Sequence, residues 1–243
     1  MRQVIIYIGL FIVFISGCES DNCFRKAGGE TIERYNFDTI PYLRVNGVFD
    51  VELIPDSVYF IETIAPENLQ SSLEFEVIGD SLVDCFNYNS CFWRRDYDKP
   101  KIKVHAPFIY EITLEESAYI HSTDTIRYNF KLIVTAGLAE ADMTLNCDRV
   151  FFYINKTSGG RYNFSGKANH AFIMTYNTGL MDMSELIAKR GIIRNYSTVD
   201  MKVHVLESMS ITIDGSGNIL YRGNPNIIYE TESTASGKPI PID

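Results

Sequence analysis

The fold prediction starts at the stretch Asp214-Gly-Ser-Gly-Asn-Ile-Leu-Tyr-Arg-Gly-Asn-Pro225. Gly215 and Gly217 flank a serine, a short apolar run follows, and Gly223-Asn-Pro225 closes the segment. Glycine tolerates positive φ and close backbone approach, and Asn-Pro is a turn signal. The segment therefore predicts tight turns on either side of a short apolar run, and its first half recurs through the C-terminal half of the chain.

Small residues recur before and after Ser216 at a nearly constant spacing, and an apolar residue stands five positions before most of them. Apolar residues also alternate over short runs, as in Ile211-Thr-Ile213 and Ile112-Thr-Leu114, which is the period of a strand. The small positions are Ser117, Gly137, Ser158, Thr178, Thr198, Ser216 and Ser236, and the apolar positions are Ile112, Leu132, Tyr153, Ile173, Ile193 and Ile211.

A constant period of this kind is typical of a solenoid, in which each unit buries its apolar face only against the next unit. We therefore predict an all-β fold, a parallel β-helix or β-solenoid of about seven coils of about 20 residues each. The alternative is a β-sandwich with evenly spaced strands. Because residue type recurs together with the spacing, the pattern favours the solenoid.

The region before the periodic part differs from it. Alternating runs predict strands at residues 48–54, 59–64 and 102–106, and a hairpin of residues 73–78 and 81–86 joined at Gly79-Asp80. An open solenoid end needs a cap. We therefore predict one domain over residues 34–243, in which 34–107 form an N-terminal β cap with the first coils and 108–243 form the repeat coils.

The segment 1–17 is typical of a bacterial lipoprotein signal peptide. Arg2 precedes an apolar run over residues 4–15, which is shorter than the roughly 20 residues that span a bilayer. Ile15-Ser-Gly-Cys18 resembles a lipobox, whose cysteine is acylated and becomes the mature N-terminus; the alternative is ordinary secretion with Cys18 incidental. We predict lipidation of Cys18 and a flexible tether over residues 18–33.

The acidic residues after Cys18 resemble surface-export signals, so we predict a lipoprotein of the outer membrane in the cell envelope, with the membrane face left open. The chain has 22 Lys and Arg against 31 Asp and Glu, a net charge of −9. Such a body has no electrostatic attraction for nucleic acid or anionic lipid. The predicted partners are therefore the membrane, through the N-terminal lipid, and an unknown protein or glycan, without nucleic acid.

Several motifs together resemble the DUF2807 family of auto-transporter adhesins with a head GIN domain, which is widespread in Bacteroidetes. Gly217-Asn-Ile219 matches the GIN, and Tyr221-Arg-Gly-Asn-Pro225 matches the family's Y-x-G-x-P. The resemblance covers about residues 34–243, although Val199 and Leu138 replace the second glycine of the family's Ser-Gly-x-Gly. It implies a β-helical protein that is secreted or surface-anchored. The N-terminal matches are Phe37-Asp-Thr-Ile40, Val45-Asn-Gly-Val-Phe-Asp-Val51 and Ala65-Pro-Glu-Asn-Leu69.

The cysteines predict a disulfide rather than a metal site. Exported bacterial proteins meet oxidising conditions, and Cys85 and Cys91 enclose five residues rich in Asn and Ser, so we predict that they pair. Cys23 and Cys147 would be the remaining pair, or Cys147 is a buried free thiol. No Cys-x-x-Cys occurs and the four histidines are scattered singly, so we predict no metal and no cofactor.

The carboxylates do not predict an active site. Asp142, Asp182 and Asp200 stand at different offsets from the small positions, which predicts that they do not line up in register. The pair Glu115-Glu116 has no basic residue beside it, and no phosphate loop or nucleophile elbow occurs. We therefore predict no catalytic residues and a protein that is not an enzyme.

An aromatic cluster around the Cys85–Cys91 loop is the strongest signal for binding. Its rings, interspersed with Arg94 and Arg95, predict a platform for a sugar ring or a partner protein. The alternative is that these rings close the end of the solenoid. The platform residues are Tyr88, Phe92, Trp93 and Tyr97.

The leading functional hypothesis is a lipid-anchored, non-catalytic cell-envelope protein that serves as an adhesin or partner-binding scaffold. The second is a carbohydrate-active β-helix enzyme, a lyase or glycosidase. A structure without a groove that holds two carboxylates, or a carboxylate and a basic residue, would rule the enzyme out. The third is a structural or signalling envelope lipoprotein.

Overall fold

The computed structural model describes residues 26–89, 98–176, 178–231 and 235–243. No helix in these ranges is long and apolar enough to cross a membrane. One short helix, α1 (Glu67–Gln70), accompanies the strands. The strands are β1 (Glu30–Asn36), β2 (Tyr42–Asn46), β3 (Asp50–Pro55), β4 (Phe60–Pro66), β5 (Leu73–Ile78), β6 (Leu82–Asn87), β7 (Lys101–Ala106), β8 (Glu111–Leu114), β9 (Tyr119–Ser122), β10 (Phe130–Thr175), β11 (Leu180–Asn195), β12 (Met201–Ile213), β13 (Ile219–Arg222), β14 (Asn226–Thr231) and β15 (Pro239–Pro241).

The fold is all-β, but the prediction of a parallel β-helix or β-solenoid is wrong. The described strands form one 15-stranded sheet of mixed strand orientation, nearly closed and barrel-shaped. Antiparallel pairs join β1 to β4, β4 to β7 and β5 to β6. Of these pairs, β5 and β6 are consecutive and are joined by a short turn, whereas a parallel pair needs a long connection. At Gly79, between β5 and β6, φ is +62°, which suits a tight turn.

The regular spacing of apolar residues describes strand register in only part of the sheet. Ile173 is paired with Ile193, and Ile193 with Ile211, in the parallel neighbours β10, β11 and β12. Register shifts interrupt both interfaces. In the N-terminal region the offset differs altogether, because Val45 of β2 is paired with Cys85 on one side and Leu114 on the other. Like residues are therefore neighbours in β10–β12 without a uniform stack of seven coils.

Strand β10 is 46 residues long and lies against itself. The ring centroids of Phe130 and Phe152 are 6.4 Å apart, and those of Phe152 and Phe164 are 4.0 Å apart. Close backbone contact occurs where Gly160, with φ of +116°, meets Ala139. A Cβ atom at Gly160 would lie 1.7 Å from the carbonyl oxygen of Ala139, so only glycine fits there.

Alternating side chains place one hydrophobic core inside the described part of the sheet. On β7, Ile102, Val104 and Ala106 are buried, whereas Lys101 and Lys103 lie on the outer face. This alternation is expected when one face of a sheet covers the core and the other meets water. The inner face of the sheet therefore covers the core, and the outer face carries the side chains that meet water. At one edge β15 contains Pro239 and Pro241 and pairs with β13.

A buried ion pair joins β2 to β6. The Arg44 Nε donates to Asp84 Oδ2 at 2.9 Å, the Arg44 Nη2 donates to the same oxygen, and the Asn46 amide donates to Asp84 Oδ1. Asp84 is fully buried, and its hydrogen bond raises the pKa of the Arg44 guanidinium. A buried carboxylate is costly unless it is hydrogen-bonded. These donors therefore make the buried charge of Asp84 compatible with the fold.

Candidate functional site

The predicted platform lies mostly outside the described residues. Tyr88 follows β6 and is 58% exposed, and its ring stacks on Phe86 with centroids 5.4 Å apart. Phe92, Trp93 and Tyr97 lie outside the described ranges. The platform therefore stays a prediction, of which the structure places one ring at the surface.

The cysteine predictions are also untested. Cys85 is fully buried on β6, and burial raises the pKa of its thiol well above the ordinary value. Cys91, its predicted partner, lies outside the described residues, as do Cys18 and Cys23. Cys147 is a free thiol whose pKa burial raises to about 11. The disulfide and the lipidation therefore stay predictions.

A second group of aromatic side chains, which the sequence did not reveal, lies on the outer face of the sheet, either on β10 or directly after the ends of β10 and β11. These side chains are half-buried and alternate along the chain with buried neighbours, among them Phe152 and Ile173. Because successive residues of a strand point to opposite faces, they share the side of the sheet that meets water. We call this surface the aromatic face. It comprises Phe151, Tyr153, Phe172, Tyr176 and Tyr196.

The aromatic face has two rows, both running across the strands. In one row the ring centroids of Phe151 and Phe172 are 6.4 Å apart. In the other, which we call the tyrosine row, Tyr153 and Tyr176 are 5.9 Å apart at an interplanar angle of 62°, and Tyr176 and Tyr196 stack at 4.5 Å and 7°. Neighbouring strands lie about 4.8 Å apart, so side chains at matching positions form such rows.

Shallow depressions flank the phenylalanine row. One, of about 240 Å³, is lined by Tyr110, Lys131 and Phe151, and the other, of about 270 Å³, by Ile192 and Ile228. Phe172 lines both and separates them. The Lys131 ammonium lies 5.3 Å from the Phe151 ring centroid. The surface therefore has depressions as well as aromatic side chains, whereas a flat polar sheet would have neither.

Two cations lie beside the tyrosine row. The Lys156 ammonium is 5.8 Å from the ring centroid of Tyr176. Burial, followed by the neighbouring Tyr196 and Tyr153, raises the pKa of Tyr176, and Arg194 acts in the opposite direction. Within the described ranges no carboxylate contributes to this shift. Arg194 and Tyr196 stand on either side of the buried Asn195 and therefore point to the same side of the sheet, so the Arg194 guanidinium shares this surface with the row.

A polar row crosses another part of the sheet and corrects one sequence prediction. The Asn163 amide donates to Asp142 Oδ1 at 2.8 Å, and Asn163 is paired in register with Asp182 on β11. The prediction that Asp142 and Asp182 do not line up is therefore wrong. The number of residues between successive members of the row varies, and this variation compensates for their different offsets from the small positions. Asp200 lies apart from the row, where Asp200 Oδ1 accepts from the Asn218 backbone.

A contact between the side chains of Asp182 and Lys202 continues this row. Burial acts to raise the pKa of Asp182, but the hydrogen bonds from Lys202 and Ser184 outweigh it and lower that pKa. The Lys202 ammonium lies 2.8 Å from Asp182 Oδ2, and the Ser184 hydroxyl donates to Oδ1 at 2.6 Å. Asp182 is thus held as a charged member of a surface network.

The polar row borders a cleft of about 900 Å³. His121 Nε2 lies 3.1 Å from Asp50 Oδ1, the Tyr119 hydroxyl donates to Asp142 Oδ2 at 3.2 Å, and Lys101 lies 3.9 Å from Asp50. Burial and then Asp142 raise the pKa of Tyr119. Since the cleft holds carboxylates and a basic residue, the condition that would exclude an enzyme is not met. Each of these contacts also fits a structural role.

In the ranges given above, no three His, Cys, Asp or Glu side chains come together in a group that could bind a metal.

The aromatic face could have been recognised from the alternation of side chains along each strand, which decides whether a ring points inward or outward. Tyr153 stands in the predicted apolar column, yet Phe152 and Ile154 are buried and Tyr153 lies on the outer face. Only the strand pairing brings Tyr153 beside Tyr176 and Tyr196.

Comparisons with known proteins identify relatives by family and by fold. A family model described as "Putative auto-transporter adhesin, head GIN domain" (DUF2807) matches residues 36–225. Among proteins of curated function, none matches the sequence.

Solved structures resemble the chain over most of its length. "A putative adhesin" from Bacteroides fragilis is 17% identical with a TM-score of 0.76, covering 88% of this chain and 97% of that one. "Putative adhesin" from Parabacteroides distasonis is 13% identical with a TM-score of 0.67, covering 88% and 98%. "Putative lipid binding protein" from the same species is 16% identical with a TM-score of 0.62, covering 89% and 98%. At these identities the likeness concerns the fold alone.

Proposed function

Because this chain belongs to the DUF2807 family of head GIN domain proteins, we propose that it is an adhesin-like protein of the cell envelope that binds a partner and does not catalyse a reaction. The family description and the adhesins among the structural neighbours support this class of function. A fold by itself does not define a function. The binding role therefore has to come from a particular surface.

The single observation that carries the binding role is the aromatic face. Aromatic side chains at a surface contribute large contact areas at low entropic cost, and they are enriched where proteins bind partners. Here five of them share one side of a hydrogen-bonded sheet, which holds them in fixed positions before a partner arrives. Such preorganisation reduces the entropic penalty of binding.

The cleft beside Asp50 and Asp142 supports the enzyme alternative less strongly than the aromatic face supports a binding role. These two carboxylates already accept hydrogen bonds or pair with cations from neighbouring strands. Such contacts also stabilise a sheet across its strands. A purely structural or signalling lipoprotein is the third candidate, and it gives no reason for the half-buried rings that the aromatic face presents at the surface.

Membrane attachment is part of the proposal and rests on the lipobox at Cys18. We expect Cys18→Ser to move the protein from the membrane fraction to the soluble fraction of cells, because several acyl chains give stable anchoring and their loss leaves an acidic body. Fractionation with immunoblotting measures this, with Cys147→Ser as the matched control. Continued membrane association of the Cys18→Ser variant would contradict lipid anchoring.

Partner binding is tested with the purified full-length protein in detergent on a panel of immobilised glycans and envelope proteins. We expect Tyr176→Ala to weaken binding by about tenfold or more, the range of an interface hot spot. Tyr88→Ala is the matched control, since it removes another surface tyrosine that also stacks on one aromatic neighbour.

The outcomes separate the two surfaces. Loss of binding in the Tyr88→Ala or Trp93→Ala variant with full binding by Tyr176→Ala would place the site at the platform predicted from sequence and contradict the aromatic face. Absence of binding by the wild type to every member of the panel would contradict the proposed function. Thermal unfolding of each variant shows whether a change in binding reflects a change in folding.

A further inference from the structure

The two cations beside the tyrosine row form no ion pair with a described carboxylate. The chain as a whole carries a net charge of −9. Several cations on the outer face pair with carboxylates: Lys131 lies 2.7 Å from Glu111, and Arg190 lies 3.3 Å from Glu207. In the part of the chain that the structure describes, Lys156 and Arg194 make no such pair. Lys156 and Arg194 are thus available to pair with a negatively charged ligand.

The row also presents hydrogen-bonding groups. Tyr176 and Tyr196 stack at 4.5 Å, so each covers one face of the other and their hydroxyl edges remain for a ligand. Tyr153 is turned by 62° relative to Tyr176. Between the described residues no hydrogen bond occupies these three hydroxyl groups. A ligand therefore meets three phenol hydroxyls, an ammonium and a guanidinium beside aromatic rings.

These groups together fit a sugar that carries a carboxylate. Sugar rings offer apolar C–H faces to aromatic rings and hydroxyls to phenols, and a carboxylate matches the fork of an arginine. Resting on the proposed binding role of the aromatic face, we propose that the tyrosine row binds an acidic glycan, whose carboxylate pairs with Arg194 and Lys156 while its ring lies against Tyr153, Tyr176 and Tyr196. Because the row crosses the strands in a line, it suits a linear chain.

Other ligand classes fit less well. An acyl chain would bury three phenol hydroxyls and two charges without hydrogen-bond partners, which is costly. A nucleic acid is also a polyanion and would meet the same two cations, so a DNA oligonucleotide is included in the experiment below to distinguish it from the glycan. A neutral glycan would leave both cations without a counter-charge. The acidic glycan is the class that uses every group of the row.

The probes are three uronic acid polymers, namely polygalacturonate, alginate and hyaluronan, and the methyl ester of each. Esterification removes the charge and preserves the sugar backbone, so the comparison isolates the carboxylate. We expect the full-length protein to bind at least one acid form about tenfold more tightly than its ester. This preference should diminish as salt rises from about 0.05 M to about 0.5 M, because salt screens exposed charges.

The variant Arg194→Gln is expected to reduce binding of the acid form about tenfold and binding of the ester hardly at all. Arg190→Gln is the matched control, since Arg190 is also an exposed arginine of β11 but is paired with Glu207. It should bind like the wild type. Both side chains are exposed, and thermal unfolding verifies that neither change alters the fold.

Three results would overturn the proposal: equal binding of acid and ester forms, unchanged binding by Arg194→Gln, or no binding to any of the three polymers. If Tyr176→Ala still loses its partner on the general panel, the proposed function stands while the acidic glycan is excluded. A DNA oligonucleotide bound as tightly as the polymers at about 0.15 M salt would show general polyanion binding and would equally overturn the proposal.

Discussion

Replacing Gly160 with alanine is expected to lower the free energy of unfolding by about 3–5 kcal/mol. Two effects add. The backbone φ of +116° is unfavourable for any residue with a Cβ atom, and that atom would lie 1.7 Å from the carbonyl oxygen of Ala139. Relief requires the two turns of β10 to move apart, which disturbs the hydrogen bonds and the core beneath them. Urea unfolding followed by circular dichroism measures the change.

Two other glycines separate these effects. Gly79 has φ of +62° but no atom within 4 Å of a Cβ, so Gly79→Ala should show only the backbone effect, about 1–2 kcal/mol. Gly29 has neither constraint, and Gly29→Ala should change stability by less than about 1 kcal/mol. A loss at Gly160 no larger than that at Gly79 would contradict the close approach of Gly160 to Ala139.

Replacing Arg44 with methionine is expected to lower the free energy of unfolding by about 3 kcal/mol. Asp84 is fully buried, and the substitution removes two of its hydrogen bonds and its counter-charge while keeping much of the side-chain volume. The value lies at the lower end for a broken buried pair because Arg44 is itself 32% exposed. Chemical unfolding of the variant and the wild type gives the difference.

The double variant Arg44→Met with Asp84→Asn provides the control. It removes the stranded charge, so we expect it to be more stable than Arg44→Met alone. Together with the single variant Asp84→Asn it completes a double-mutant cycle, which gives the coupling energy between the two residues. If the two changes add without coupling, the ion pair does not hold β2 to β6. Lys131→Met, which breaks the half-exposed pair with Glu111, should cost less than about 1 kcal/mol.

The sequence alone predicts those strands and turns whose alternation and turn residues lie within one short segment. Alternation predicts strands at residues 48–54 and 102–106, and β3 and β7 lie there. The hairpin at Gly79-Asp80 is confirmed by the antiparallel pair β5–β6. In these cases the turn residue and the alternation both lie within the segment that folds.

Strand orientation over the whole sheet could not be predicted in the same way. Equal spacing is compatible with parallel stacking, but it does not reveal that β4 lies antiparallel between β1 and β7. That arrangement depends on which edge the chain returns to. It is decided by burial of Ile61 and Ala65 against the core rather than by any local motif. The solenoid prediction failed for this reason.

The candidate site was missed because it exists only across strands. Tyr153, Tyr176 and Tyr196 stand far apart in the sequence, and nothing in their local sequence marks them. A register shift by a single position decides which side of the sheet a side chain occupies. The same holds for Asp142, Asn163 and Asp182, whose alignment depends on irregular spacing. Pairing information is needed before such rows can be recognised.

The two prolines of β15 affect whether copies of this protein associate through this edge of the sheet. Pro239 and Pro241 supply no backbone N–H, so a strand arriving at this border finds two of its carbonyl groups without donors. Unprotected borders of this kind lead to filaments and aggregates. Copies of this protein at high local concentration would therefore remain separate at this border, each leaving its outer surface free for contact with the surroundings.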